Sequence, residues 1–326
     1  MKIIKNGKQT LWLIGAGFVL IIIVVGWHSG LFVDGDIKQV DFNDVITDDK
    51  DIRNVKHDKR PLLRIAIASM ISPRITKKYY EDLLQIIGNK LNRRVVFLQR
   101  KTYAEVNNLL ECKEIDCAFV CSGPYISGKD KFGMEILAVP VVCEEKRYYA
   151  YIIANKASAV RTFNDLKGKK FAFTDTYSHT GCLVPRYMLV QQGFTPDSFF
   201  SETFYTNSHD NSIQAVAEGL ADGAAVNCLI WEFLNAEEPE FTRQTKIIAQ
   251  SPPYGMPPIV VHPDLKPSLK NRLRVIFTQL HQDEDAWKFM QKLHISRFEK
   301  GDDALYDTVR EMQNQLKKNE AQKNEP

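Results

Sequence analysis

Short apolar runs alternate along most of the chain with longer segments whose apolar residues fall three and four apart, the pattern of strands and amphipathic helices. Leu63-Arg64-Ile65-Ala66-Ile67-Ala68 reads as a strand, and Thr76 as the cap of a helix carrying Tyr79, Tyr80, Leu83, Leu84, Ile87 and Leu91 on one side. Residues 95–98 form the next strand, 103–110 the next helix, and 116–121 a third strand entering the loop Ser122-Gly123-Pro124-Tyr125. The rhythm breaks at 136–142 and 147–154, two consecutive strands with no helix between them. A second alternating run follows: a strand at 170–174, a helix at 181–192, Phe204-Tyr205, a helix at 209–219, a strand at 223–226 and a helix through Trp231. Ile247-Ile248 and residues 258–261 are strands that lead back, and 269–280, 286–293 and 304–316 read as helices. Two α/β lobes with largely parallel sheets, the second inserted within the first, account for this order better than two tandem domains. The first lobe opens over 61–150, the inserted lobe covers 151–250, the return and C-terminal helices fill 251–316, and 317–326 is a polar tail.

The same patterning sets the N-terminal part aside. Lys2, Lys5 and Lys8 form a basic end over 1–10, and 11–27 contains only apolar residues and glycine. About 17 to 20 such residues cross a hydrocarbon core, so 11–30 is read as a transmembrane anchor or a signal segment and 31–60 as a charged, polar spacer. Basic residues on the N-terminal side keep that end in the cytoplasm and send the rest outward. Cleavage favours small residues in an A-x-A-like pattern; Val25-Gly26-Trp27-His28-Ser29 supplies none cleanly, which favours a retained inner-membrane anchor. Lys and Arg number 43 against 40 Asp and Glu, a balance without the basic footprint of a nucleic-acid binder. The six cysteines contain no C-x-x-C pair, so no zinc site is expected, and no cofactor is expected either.

Two segments carry the chemistry. In Thr174-Asp175-Thr176-Tyr177-Ser178-His179-Thr180-Gly181 a strand runs through a hydroxyl-rich loop straight into a helix. The amides of a helix N-terminus, with the Ser178 and Thr180 hydroxyls, suit a small oxyanion such as a phosphoryl or phosphonyl group; the plainer reading makes these hydroxyls ordinary caps. Thr206-Asn207-Ser208-His209-Asp210-Asn211-Ser212 also joins a strand to a helix, at the sheet edge where ligands gather in doubly wound folds. His209 would donate to an anion there; the plainer reading makes Ser208 or Asp210 a cap and His209 an ordinary polar loop residue, and on this segment alone it is the better one. Catalysis by a Ser-His-Asp relay fails on geometry, because Ser208, His209 and Asp210 are adjacent and no G-x-S-x-G elbow is present.

"FAFTDTYSHTGCLVPRYML", "TNSHDNSIQAVAEGLADGAAV" and "SPPYGMPPIVV" resemble hallmark segments of the phosphate/phosphite/phosphonate ABC-transporter substrate-binding proteins, the PhnD family. The likeness covers about residues 64–307 in order. It implies a type II periplasmic-binding-protein fold, two lobes closing on a ligand about a hinge, here expected near 149–153 and 251–258. It implies that Ser178, His179 and Thr180, with Gly181, grip the oxyanion, that His209 faces it, and that Tyr125 of the first lobe closes over it. The loop containing Ser72 faces the cleft but lacks the tyrosine of some members, and His179 stands where a small or amide-like residue is usual. Asn227 lies near where aminophosphonate binders use an acid, which argues against an aminoalkylphosphonate.

A rival reading rests on Cys121. Arsenite-binding relatives serve membrane sensor kinases, a thiolate is a suitable soft ligand, and even spacing would put Cys117 and Cys121 on one strand face. Buried inert thiols, or a disulfide of Cys121 with Cys143, are the alternatives. The expectation is thus a non-enzymatic, extracytoplasmic receptor for a phosphate-like oxyanion. Its partner would be an ABC permease or, in the rival reading, a sensor kinase; a hydrolase using Ser178 is the remote third.

Overall fold

A computed structural model of the chain describes residues 59–323. The anchor or signal segment 11–30 and nearly all of the spacer 31–60 lie outside the described residues. Among the described residues no helix is long and apolar enough to cross a membrane.

The chain opens with β1 (Leu62–Ile67), α1 (Pro73–Lys90), β2 (Arg94–Gln99), α2 (Tyr103–Glu111), β3 (Cys117–Phe119), α3 (Ser122–Phe132) and β4 (Glu135–Val142). It then passes through β5 (Arg147–Tyr148) into β6 (Ala150–Asn155), β7 (Lys170–Phe173), a wide helical turn His179–Leu183 that continues as α4 (Val184–Gln191), and the single turn α5 (Pro196–Phe199). Next come β8 (Glu202–Tyr205), α6 (His209–Ala217), β9 (Gly223–Asn227), α7 (Cys228–Glu237) and β10 (Thr245–Gln250). It returns through β11 (Tyr254–Gly255) to β12 (Ile259–Val261), α8 (Pro267–Gln279), α9 (Glu284–Lys292), β13 (Ile295–Glu299) and α10 (Asp307–Lys323).

These strands make two sheets. One has the order β13-β4-β12-β3-β1-β2, the other β10-β6-β9-β7-β8. β1, β2 and β3 are parallel, as are β7, β8 and β9, while β12, β13 and β6 run antiparallel to their neighbours. The helices cover the sheets with their apolar stripes: Ile75, Tyr79, Leu83, Leu84 and Ile87 of α1 are buried, as are Val106, Leu109 and Leu110 of α2. The two crossings lie side by side. Tyr148 of β5 pairs with Tyr254 of β11, the Ser251 amide donates to the Ala150 carbonyl at 3.0 Å, and the Ala150 amide donates to Ser251 Oγ at 2.9 Å.

Several elements differ from the sequence expectation. α1 begins at Pro73, before Thr76, because proline is favoured in the first turn, where no amide is needed; Thr76 Oγ1 instead donates back to the Ile71 and Ser72 carbonyls. Ser122-Gly123-Pro124-Tyr125 is the first turn of α3, not a loop. β13 is a further strand that the apolar pattern does not mark, because Ile295-Ser296-Arg297-Phe298-Glu299 is a short edge strand with two buried positions. The tail at 317–323 continues α10, which packs Val309 into the first lobe's core behind Tyr306 of the preceding turn and joins the second lobe through Glu320 and Arg186 at 2.9 Å.

The lobes touch across the cleft. The His209 amide donates to the Met70 carbonyl at 3.0 Å, the Ser72 amide to Asp210 Oδ1 at 2.9 Å, and the Tyr103 amide to Asp175 Oδ2 at 3.1 Å.

Candidate oxyanion site

Because β7, β8 and β9 are parallel, their carboxyl ends bring Thr174, Thr206 and Asn227 to one edge of the second sheet, facing the first lobe. The turn that follows β7 is wide for a reason visible in the sequence. Pro185 has no amide to donate to the Gly181 carbonyl, and that carbonyl accepts from the Thr174 amide instead, at 3.1 Å. The Leu183 amide reaches back to the Ser178 carbonyl at 2.9 Å, closing a π-type turn of the kind often found at functional sites. Gly181 is required for this close approach, since a Cβ there would lie 2.2 Å from Thr174 Oγ1.

The packing pins two imidazoles. His209 Nδ1 lies 3.0 Å from Thr174 Oγ1 and accepts from the Asn227 amide at 3.2 Å. His179 Nδ1 lies 2.9 Å from the Tyr148 hydroxyl of the first crossing strand. Ser178 Oγ accepts from the Gly181 amide at 3.0 Å, which leaves its own proton free to donate. Asn227 Oδ1 caps α7 by accepting from the Leu229 amide at 2.9 Å. Ser178 is thus a cap and Gly181 a close-contact residue, and both are site candidates as well.

What sets this group apart is what it leaves unpaired. His179 Nε2, His209 Nε2, Thr180 Oγ1, Asn227 Nδ2 and the Tyr103 hydroxyl are buried without a hydrogen-bond partner in the protein. Tyr103 comes from the first lobe, and its hydroxyl faces Ser178. An unpartnered buried polar group costs about 1–3 kcal/mol, so five around one seam are a strong indication of a ligand. The described partners of these residues are backbone groups and hydroxyls, with no lysine or arginine among them.

The remaining candidates sit differently. Tyr125 is buried against Tyr306, and its hydroxyl donates to Asp303 in the first lobe, so it is not part of this group; Tyr103 and Tyr148 supply the aromatic hydroxyls there. Starting α3 at Ser122 turns the Tyr125 side chain toward Asp303 and Tyr306, in the turn before α10. Ser72 serves the seam through its amide. Cys121 is not on a strand face with Cys117, because β3 ends at Phe119 and Cys121 caps α3. The two thiols pack into different cores, so the spacing does not pair them. The Cys121–Cys143 disulfide is also absent: both are free, the first buried and the second exposed. Burial pushes the Cys121 thiol up, away from thiolate, although its sulfur lies 3.9 Å from the Tyr148 hydroxyl beside the site.

Burial holds both imidazoles down at about 3, so they are neutral at pH 7, whereas burial pushes Asp175 up to about 6 against the amides of Tyr177 and Tyr103. The sign follows. Each histidine contributes stability above its ordinary value of 6.5 that is lost as pH falls toward about 3. Asp175 contributes stability below 3.8 that is lost as pH rises through about 6. Between those last two values the folded state binds one proton fewer than the unfolded, so these groups weaken the fold by about 1.4 kcal/mol per pH unit on acidification. A pH series of thermal unfolding should show this slope, and His179→Gln should bring the remaining histidine and Asp175 near balance and flatten it.

Two α/β lobes, the second inserted within the first, paired crossing strands and a seam of buried, unpaired polar atoms define a two-lobed ligand-binding protein. The model of the ABC-transporter periplasmic phosphonate substrate-binding proteins matches residues 65–306, and the chain belongs to that family. It is therefore a substrate-binding component of a transporter, in a family that works outside the cytoplasm. It is 24% identical over 260 residues to the phosphonates-binding periplasmic protein of Escherichia coli, covering 78% of this chain and 77% of that one. It is also 24% identical over 216 residues to a phosphate-import protein of Mycolicibacterium smegmatis, covering 62% and 67%. Among solved structures it superposes with TM-score 0.74 on a binding-protein component of an ABC phosphonate transporter from Pseudomonas aeruginosa, at 26% identity over 78% of this chain and 86% of that one. A Prochlorococcus marinus protein solved with methylphosphonate gives 0.73 at 19% identity, over 79% and 98%, and shares the fold.

Proposed function

We propose that this chain captures a small phosphorus oxyanion (phosphonate, phosphite or phosphate) between its lobes and hands it to an ABC permease, without catalysing a reaction. The apolar segment 11–30 would hold it at the outer face of the inner membrane. The observation that carries the reading is the set of buried, unpaired polar atoms drawn from both lobes at the carboxyl edge of β7, β8 and β9. Ser178, Thr180, His209, Asn227 and Tyr103 offer donors, and an oxyanion accepts several at once. Asn227 adds a donor rather than a negative charge, so it gives an ammonium group no counter-charge and argues against aminoalkylphosphonates. Ser178 makes a poor nucleophile here, since its described partner is the Gly181 amide and not a base. In the arsenite reading Cys121 lies beside the site, but Cys117, the thiol paired with it by spacing, packs into a different core.

A thermal-shift series with phosphate, phosphite, methylphosphonate, 2-aminoethylphosphonate, arsenate and arsenite tests this. A ligand at 100 times its dissociation constant adds about 2.7 kcal/mol. A phosphorus oxyanion should stabilise the protein, 2-aminoethylphosphonate least, and Ser178→Ala with Thr180→Ala should abolish the shift. A response to arsenite alone, or full binding by the double variant, would overturn the assignment.

A further inference from the structure

The unpaired atoms at the seam are not all donors. The Asn227 amide can only donate, so His209 Nδ1, 3.2 Å away, is an acceptor, and the neutral ring carries its proton on Nε2. His179 is wired the other way, through a relay that ends on a carbonyl. Ser122 Oγ donates to the Gly255 carbonyl at 3.2 Å, which can only accept. The single Ser122 proton is thereby used, so Ser122 accepts from the Tyr148 hydroxyl at 3.1 Å. The single Tyr148 proton is then used as well, so Tyr148 accepts from His179 Nδ1 at 2.9 Å. With its proton on Nδ1, His179 presents a lone pair on Nε2, which is buried and unpartnered. The pocket thus combines several donors with one acceptor.

On the oxyanion reading above, we infer that the site takes a phosphorus oxyanion that still carries a proton, with His179 Nε2 accepting from its P–O–H, and rejects fully ionised tetrahedral anions such as sulfate. A fully ionised anion brings an oxygen lone pair against the Nε2 lone pair and leaves the acceptor unmatched. The titratable groups around His179 are Tyr148 and Tyr254 on the crossing strands, Cys121 at the start of α3, and Tyr103 and His209 nearby in the cleft. The seam carboxylates Asp175 and Asp210 are engaged by the amides of Tyr103, Tyr177 and Ser72. Burial keeps both imidazoles neutral at working pH, so neither supplies the missing proton by charging.

Equilibrium binding of methylphosphonate and of sulfate to the full chain, from acidic to alkaline pH, tests the inference. A hydrogen bond involving a charged group is worth about 1.5–3 kcal/mol, so methylphosphonate should bind about 10- to 150-fold more tightly than sulfate. Its affinity should fall about tenfold per pH unit above its second ionisation. Ser122→Ala touches no ligand but frees the Tyr148 proton to donate to His179 Nδ1, turning Nε2 into a donor. The preference over sulfate should then shrink to a few-fold and the alkaline loss should disappear. Nitrogen-15 shifts of the His179 ring read the same switch without ligand, and Tyr148→Phe gives a second route to it. Equal affinity for sulfate, a flat pH profile in the natural chain, or an Nε2–H tautomer would each overturn the inference while leaving the receptor reading intact. Binding of neither methylphosphonate nor any other phosphorus oxyanion would remove both.

Discussion

Replacing Gly123 by alanine should leave a folded, two-lobed protein that binds its oxyanion at least about 100-fold more weakly, a loss of about 2.7 kcal/mol. Gly123 lies in the first turn of α3, where the first lobe comes closest to the turn after β7. A Cβ on Gly123 would stand 2.4 Å from the Tyr177 carbonyl oxygen and 3.4 Å from the His179 amide nitrogen. Both are backbone atoms of the other lobe, so no side chain can swing away, and full closure is blocked. These nearest neighbours all belong to the opposite lobe, so the methyl does little harm within α3. Calorimetry should show the weakened binding, and small-angle scattering should show that saturating ligand no longer compacts the variant. Natural affinity in the Gly123→Ala protein would mean that ligand capture does not require this contact.

The second large effect has opposite signs in two measurements. Thr180→Val should raise the unfolding free energy of the ligand-free protein by about 1 kcal/mol, because an unpaired buried hydroxyl is replaced by a methyl of similar shape. The same change should weaken oxyanion binding about 10- to 100-fold, the worth of a hydrogen bond to a charged group. A hydroxyl serving only the fold would lower stability when removed and leave affinity alone. Melting curves with and without methylphosphonate should therefore cross, the variant melting higher when free and lower when saturated. A variant that is less stable and binds normally would take Thr180 out of the site.

Much of this arrangement is legible in the sequence, for local reasons. Phe171-Ala172-Phe173 announces a buried strand, and the run of hydroxyls to Thr180 followed by Gly181 and Pro185 announces a capped helix start. The loop from Thr206 to Ser212 repeats the signal one strand further on, so the second-lobe half of the seam can be read from spacing. The first-lobe half cannot. Tyr103 and Tyr148 look like ordinary apolar positions of a helix and a strand, and only the closure of the lobes brings them against Ser178 and His179. Thr102 and Glu105 form a capping box that fixes where α2 begins and so places Tyr103, buried, in the first turn of that helix. Tyr125 illustrates the reverse error: its motif marks the segment, but the extra helical turn decides which way the ring points. The sequence contains no local trace of the relay through Ser122 and Gly255, whose members are 133 residues apart.

The paired crossings carry one more consequence. Because Ala150 and Ser251 hydrogen-bond to each other, the inserted lobe starts and finishes at one spot. Its ends can be joined by a short turn at little entropic cost, and the same two junctions can receive the corresponding piece of a relative. The second-lobe candidates Ser178, Thr180, His209 and Asn227 therefore lie on a transplantable cassette, while Tyr103, Ser122 and Tyr148 stay with the host lobe. Exchanging that one segment between two neighbouring residues would set new donors against an unchanged aromatic wall.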